Sequence, residues 1–197
     1  MQPWLCKVID RCVIKLAAAL QPRPGRFPAM VEEARRLLGE PDFFCDFAAP
    51  PMDFKWTSQT RFEFSSAIRA TDEKVNTVHG KLFRVGADWA SKPTILLVHG
   101  WNDDIGYLLR HPYQKSRFLK LGLNVAMLEL PYHLHRRPFG LGVQRDFICE
   151  NLFSTIQAAR QAVSDIRSLL AWREREGCPW TGLWGVSLGG WLSGLIA

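Results

Sequence analysis

The sequence predicts an α/β fold, with a mostly parallel central sheet and flanking helices, and three observations carry that prediction. Residues 95–98 form a continuous apolar run of strand length between Pro93 and Gly100, as in a strand buried on both faces. Residues 150–175 place apolar side chains at helical spacing on one face. Strand-like and helix-like segments then alternate along the chain, which is the pattern of parallel strands joined by helical crossovers. The composition agrees. With 197 residues, 47% hydrophobic and 22% charged, the chain is globular and has room for one domain and a short extension.

At the N-terminus, Trp4, Leu5, Val8, Ile9, Cys12, Val13, Leu16 and Leu20 share one helical face, with Lys7, Arg11 and Lys15 off it. Such a helix can dock on its own domain, the reading adopted here, or lie on a membrane surface. "QPRPGRFP" (21–28) breaks it, and a short helix over 29–38 stops at Gly39, read as a positive-φ cap. "AAPPMD" (48–53) is the next break. It sets the expected boundary between a helical extension, 1–53, and an α/β domain, 54–197.

Within that domain "FKWTSQTRFEFSSAI" alternates and is rich in β-formers, predicting one strand. "NTVHGKLFRV" predicts a second, with His79-Gly80 near a turn or bulge. "PTILLVHG" is the third, and 113–121 a helix ended by Gly122. "LNVAMLEL", closed by Pro131, is the fourth strand. In the long helix, Leu152, Ile156, Ala159, Val163, Ile166, Leu169 and Leu170 oppose Arg160, Arg167 and Arg173, with Gly177 and Pro179 as the stop. "WTGLWGVS" is the fifth strand, and "LGGWLSGLIA" begins another helix.

Charge and cysteine content exclude several classes. The net charge of +6 is spread among acids and forms no basic run, so no nucleic-acid partner is expected. Cys6, Cys12, Cys45, Cys149 and Cys178 make no Cys-x-x-Cys pair or zinc spacing and read as reduced thiols. Lys7, Asp10, Arg11 and Lys15 interrupt any secretory core, and no run reaches membrane-spanning length. A cytoplasmic location is the expectation, with membrane contact through 4–20 not expected.

The chemistry concentrates near the end of the sequence. Gly185-Val186-Ser187-Leu188-Gly189 reads Gly-x-Ser-x-Gly between a predicted strand and a predicted helix, the context in which a sharp turn exposes a nucleophilic serine. At 185 or 189 a side chain would crowd the neighbouring strand and helix. The N–H of Leu188, at a helix N-terminus, suits a developing negative charge. A second donor suits the loop after His99-Gly100, most directly the N–H of Trp101. His99 itself reads as a loop-shaping histidine rather than a base.

These two motifs, in this order and setting, resemble the α/β-hydrolase superfamily over roughly 54–197. The resemblance implies Ser187 as nucleophile, the amides of Trp101 and Leu188 as oxyanion hole, a small-molecule acyl substrate, and no metal or organic cofactor. It also implies a catalytic acid and then a histidine after the serine. Neither occurs in "LGGWLSGLIA". The fold is therefore expected to be an incomplete α/β-hydrolase fold in a truncated chain, inactive as it stands, with acid and histidine beyond Ala197. A non-catalytic scaffold of the same fold, binding a ligand or partner, is the alternative.

Three further groups border the expected site. Arg136 and Arg137 offer guanidinium forks to an anionic substrate, against a structural ion-pair role. His133 and His135 alternate as metal ligands can, but lack a nearby third ligand, so no metal is expected. Asn102 or Asp103 is expected to cap a short helix.

Overall fold

A strand buried along its whole length, Asn124–Leu128, lies inside the sheet that the apolar runs demand. The computed structural model describes residues 27–40, 43, 44, 49–139, 146–149 and 151–197. Within them a helix, Phe27–Leu38 (α1), precedes the strands Lys55–Trp56 (β1), Arg61–Ser65 (β2), Thr77–Phe83 (β3), Thr94–Val98 (β4), Asn124–Leu128 (β5) and Thr181–Gly185 (β6). Helix Asp104–Lys120 (α2) joins β4 to β5, Leu152–Arg175 (α3) joins β5 to β6, and Leu188–Ile196 (α4) follows β6. The expected helix over 4–20, and Cys6, Cys12 and Cys45, lie outside the described residues.

The sheet runs β1-β2-β3-β5-β4-β6. β5, β4 and β6 are parallel, and β3, β2 and β1 extend them with antiparallel pairs. Side-chain alternation along the parallel strands divides the core into two layers. Leu96, Val98, Ala126 and Leu128 face α3 and α4, where they meet Ala162, Val163, Ile166, Leu188 and Leu192. Leu97, Val125 and Met127 face α2 through Tyr107, Phe118 and Leu119. The α/β architecture is thus built from the runs that predicted it.

Three local expectations change. The first predicted strand is a hairpin, β1 and β2. Ser58 Oγ accepts from the N–H groups of Thr60 (3.3 Å) and Arg61 (3.0 Å), and that local turn outcompetes a continuous strand. His79-Gly80 lies in mid-strand, not at a turn. Gly80 stands opposite Phe62, where a Cβ would run into the Phe62 ring and come within 2.8 Å of the Met127 carbonyl oxygen. Helix α2 starts at Asp104, well before residue 113, and accommodates Pro112 in its interior.

Glycines close α2 and α3 as read, with φ of +77° at Gly122 and +95° at Gly177. Gly39 after α1 does not take a positive φ; its N–H bonds the carbonyls of Arg35 and Arg36 instead. Asn151 caps α3 by accepting from the Ser154 N–H at 3.2 Å. Helix α1 packs on α3 through Ala34, Leu37, Phe43 and Ile156. Arg167 adds a 2.7 Å bond to the Phe44 carbonyl.

Candidate active site

Between β6 and α4 the chain turns within two residues, and Ser187 takes φ +53°, ψ −118° to make that turn. A side chain in this region is strained, so the surroundings must hold it there. The flanking glycines show how. A Cβ at 185 would overlap the Gly189 carbonyl and lie 2.6 Å from the Gly190 nitrogen. One at 189 would overlap the Val98 carbonyl oxygen and lie 2.6 Å from that of His99. The first turn of α4 therefore sits directly on the ends of β6 and β4. Ser187 is left exposed above the sheet, its side chain making no cap bond. Leu188 opens α4, so its N–H has no acceptor within the helix and lies at the positive end of the helix dipole.

The loop after β4 runs beside this turn. The Val186 N–H donates to the Val98 carbonyl at 3.3 Å, and a Cβ on Gly100 would lie 3.4 Å from the Val186 oxygen. α2 leaves β4 toward one face of the sheet, whereas α4 packs on the other. The crevice where such connections diverge, at the carboxyl ends of adjacent parallel strands, is where open α/β sheets bind ligands. Backbone strain collects there too. Among the described residues the non-glycine positive φ angles are Asn102 (+48°), Tyr132 (+65°), Leu134 (+49°) and Ser187 (+53°). All follow the carboxyl ends of β4, β5 and β6.

The five histidines are committed elsewhere. His99 Nε2 accepts from the Leu130 N–H at 3.1 Å, which makes Nδ1 the protonated nitrogen, donating to the Gly100 carbonyl at 2.8 Å. Burial, then neighbouring His133, hold its imidazole down at about 3. His133 follows the same pattern, accepting from the Asn102 N–H at 3.0 Å and donating to the Pro131 carbonyl at 2.8 Å, with burial lowering its basicity. With both ring nitrogens in use it presents no free lone pair to a metal. His135 pairs with Glu129 at 2.9 Å and His79 with Glu63 at 3.0 Å. His111 is buried against Tyr107 and Trp184. Among the described residues no group of three or more His, Cys, Asp or Glu could hold a metal ion.

Arg136 does not face the site, which corrects its assignment to an anionic substrate group. It is fully buried, and its guanidinium donates to the Val75 carbonyl (3.0 and 2.6 Å), the Glu129 carbonyl (2.9 Å) and Asp165 (2.8 Å). Asp165 also accepts from Ser66 at 2.6 Å. The Arg137 side chain is 39% exposed and reaches the loop after β4, 3.3 Å from both Asn102 Oδ1 and Asp104 Oδ2. Asp103 occupies the N-cap position of α2 without a side-chain cap bond. A cavity of about 660 Å³ lies among Arg69, Asp72, Tyr132, Phe153 and Gln157, and Ser187 does not line it.

The positive φ of Tyr132 and the bond from the Asn102 N–H to His133 have no signal in the sequence. The two partners are 31 residues apart, and nothing local in the sequence pairs them.

Comparison with known proteins places residues 76–197 in register with a family model described as alpha/beta hydrolase domain containing 18. An uncharacterized protein from each of two strains of Mycobacterium tuberculosis is 41% identical over 115 residues, covering 54% of this chain and 26% of the relative. The matched stretch thus spans about a quarter of those relatives' length. Among solved structures, an acetyl xylan esterase from Paenibacillus sp. R4 aligns over 90% of this chain and 57% of its own, with 14% identity and a TM-score of 0.46. Among the described residues no helix is long and apolar enough to cross a membrane.

Proposed function

Because the chain belongs to the alpha/beta hydrolase domain containing 18 family, we propose that the full-length protein is a serine hydrolase that cleaves an ester, thioester or similar acyl bond. The observation that carries this reading is the strained, exposed Ser187 at φ +53°, held between β6 and α4 by glycines that admit no side chain. Strain maintained at an exposed serine hydroxyl, between a strand and the N-terminus of a helix, supports a catalytic role for it.

Ser187 Oγ attacks the acyl carbon as a histidine takes its proton. The carbonyl electrons move onto oxygen, and that oxyanion rests against the Leu188 and Trp101 N–H groups. The leaving alcohol or thiol departs with the proton, and water then releases the acyl group by the same route. Four of the five histidines are hydrogen-bonded or paired with carboxylates, and His111 is fully buried against Tyr107 and Trp184, so the base and its orienting acid are assigned to chain beyond Ala197. The greater length of the mycobacterial relatives supports that assignment. Arg137, half-buried beside Asn102 and Asp104, is the residue assigned to an acidic substrate group.

Hydrolysis of a nitrophenyl ester by the full-length protein tests the reading. Ser187→Ala is expected to remove activity by a factor of about 10³ or more. Turnover that survives the substitution would overturn it.

A further inference from the structure

The loops after β4 and β5 are joined by a reciprocal pair of histidine bonds. His99, at the end of β4, receives the Leu130 N–H of the β5 loop at 3.1 Å. The Leu130 carbonyl receives the His133 N–H at 3.2 Å. His133 in turn receives the Asn102 N–H of the β4 loop at 3.0 Å, closing the circuit. The two rings meet edge to face, 4.8 Å apart. Each ring is fixed as the Nδ1–H tautomer by a 2.8 Å bond to a carbonyl, Gly100 for His99 and Pro131 for His133. Asn102, which bears one of these donated N–H groups, has φ +48° and directly follows Trp101.

From this geometry we infer that His133 is a positioning residue for the oxyanion hole: its Nε2 lone pair holds the Asn102 N–H, and so anchors the Trp101–Asn102 peptide, the unit directly after the one that presents the Trp101 N–H to substrate. The inference rests on the serine-hydrolase reading above. The physical reason is the cost of an unfixed donor. An oxyanion donor contributes only if it is aimed before the charge develops, and without its acceptor the Asn102 N–H no longer ties the Trp101 backbone to the β5 loop. Both rings must stay neutral, since a protonated imidazole has no lone pair to accept either N–H. The groups facing His133 are His99, Asp104, Arg137 and Asp146; those facing His99 are His133, His111, Arg136 and the Tyr107 ring.

The test uses the full-length protein with nitrophenyl acetate. The oxyanion exists only along the reaction path, so the loss falls on kcat and not on KM. His133→Leu, which removes the acceptor, is expected to lower kcat about ten- to a hundredfold with KM within about twofold. His133→Gln, whose amide oxygen can accept in place of Nε2, is expected to recover most of it. Equal kcat in wild type and His133→Leu overturns the inference and leaves the Ser187 reading intact. A wild type that shows no Ser187-dependent turnover overturns both. A measurement on the unmodified protein covers the case in which the leucine variant does not fold. Nitrogen NMR of the imidazoles is expected to show His133 protonated at Nδ1 and bare at Nε2, and an Nε2–H tautomer overturns the inference.

Discussion

Ser187 and its neighbours carry the account at the scale of single residues. Gly189 has its Cα turned toward the Val98 and His99 carbonyls, so Gly189→Ala is expected to cost about 3 kcal/mol, read as a lowered midpoint in a urea titration. An unchanged midpoint would mean that the turn is looser than the geometry gives it. His99 supplies a pH dependence. Its imidazole sits at about 3 in the folded protein against 6.5 when free, so the unfolded chain binds the extra proton between those values. That contribution is fully present above pH 6.5 and is lost as pH falls toward 3, at about 1.4 kcal/mol per pH unit. Urea titrations of wild type and His99→Gln should therefore converge as pH falls from 7 to 5. A constant gap would contradict it. The Ser187 turn was legible in the sequence because its requirements are local: two glycines, a serine, a strand before and a helix after. The His99–Leu130 and His133–Asn102 bonds were not, because each joins groups 31 residues apart.

Elements are held in place by buried polar ties that hydrophobic patterning does not reveal. Arg136 joins the 3₁₀ turn before β3, the end of β5 and helix α3 through Val75, Glu129 and Asp165. Removing one partner strands the other charge in a dry interior. Arg136→Leu alone is expected to cost about 3–5 kcal/mol, and adding Asp165→Leu to recover a large part of it. If the double variant were no more stable than the single, the pair would not be the coupled unit described. From sequence, Arg136 and Arg137 were equivalent; the 3₁₀ turn Leu134–Arg136 sends one inward and leaves the next at the surface. Arg137→Ala is accordingly expected to raise KM about tenfold for an acidic acyl ester and leave KM for a neutral ester unchanged. Equal KM values for both esters before and after the change would remove Arg137 from substrate recognition. Helix α3 was readable from period and stop signals and α2 only in its second half, up to its stop at Gly122, whereas the hairpin β1–β2 was not, since Ser58 bonds its own backbone in a run of β-formers.

For the molecule as a whole, the three parallel strands fix where chemistry can occur. β4 lies between β5 and β6, and the loops leaving their carboxyl ends hold Trp101, Tyr132, His133 and Ser187 along one edge. The antiparallel strands β3, β2 and β1 extend the sheet away from that edge and bury Phe62 and Phe64 in the same core. The parallel centre was evident in the apolar runs, but strand order was not, because a crossover's destination depends on contacts across the whole fold. The central claim is that this edge activates one serine. The most direct test is fluorophosphonate labelling of the full-length protein, with the modified peptide identified by mass spectrometry. Attack by an activated serine on phosphorus expels fluoride and leaves a stable adduct, so the account predicts a single label on Ser187 that Ser187→Ala abolishes. A folded protein that takes no label, or takes it equally after the substitution, would contradict it.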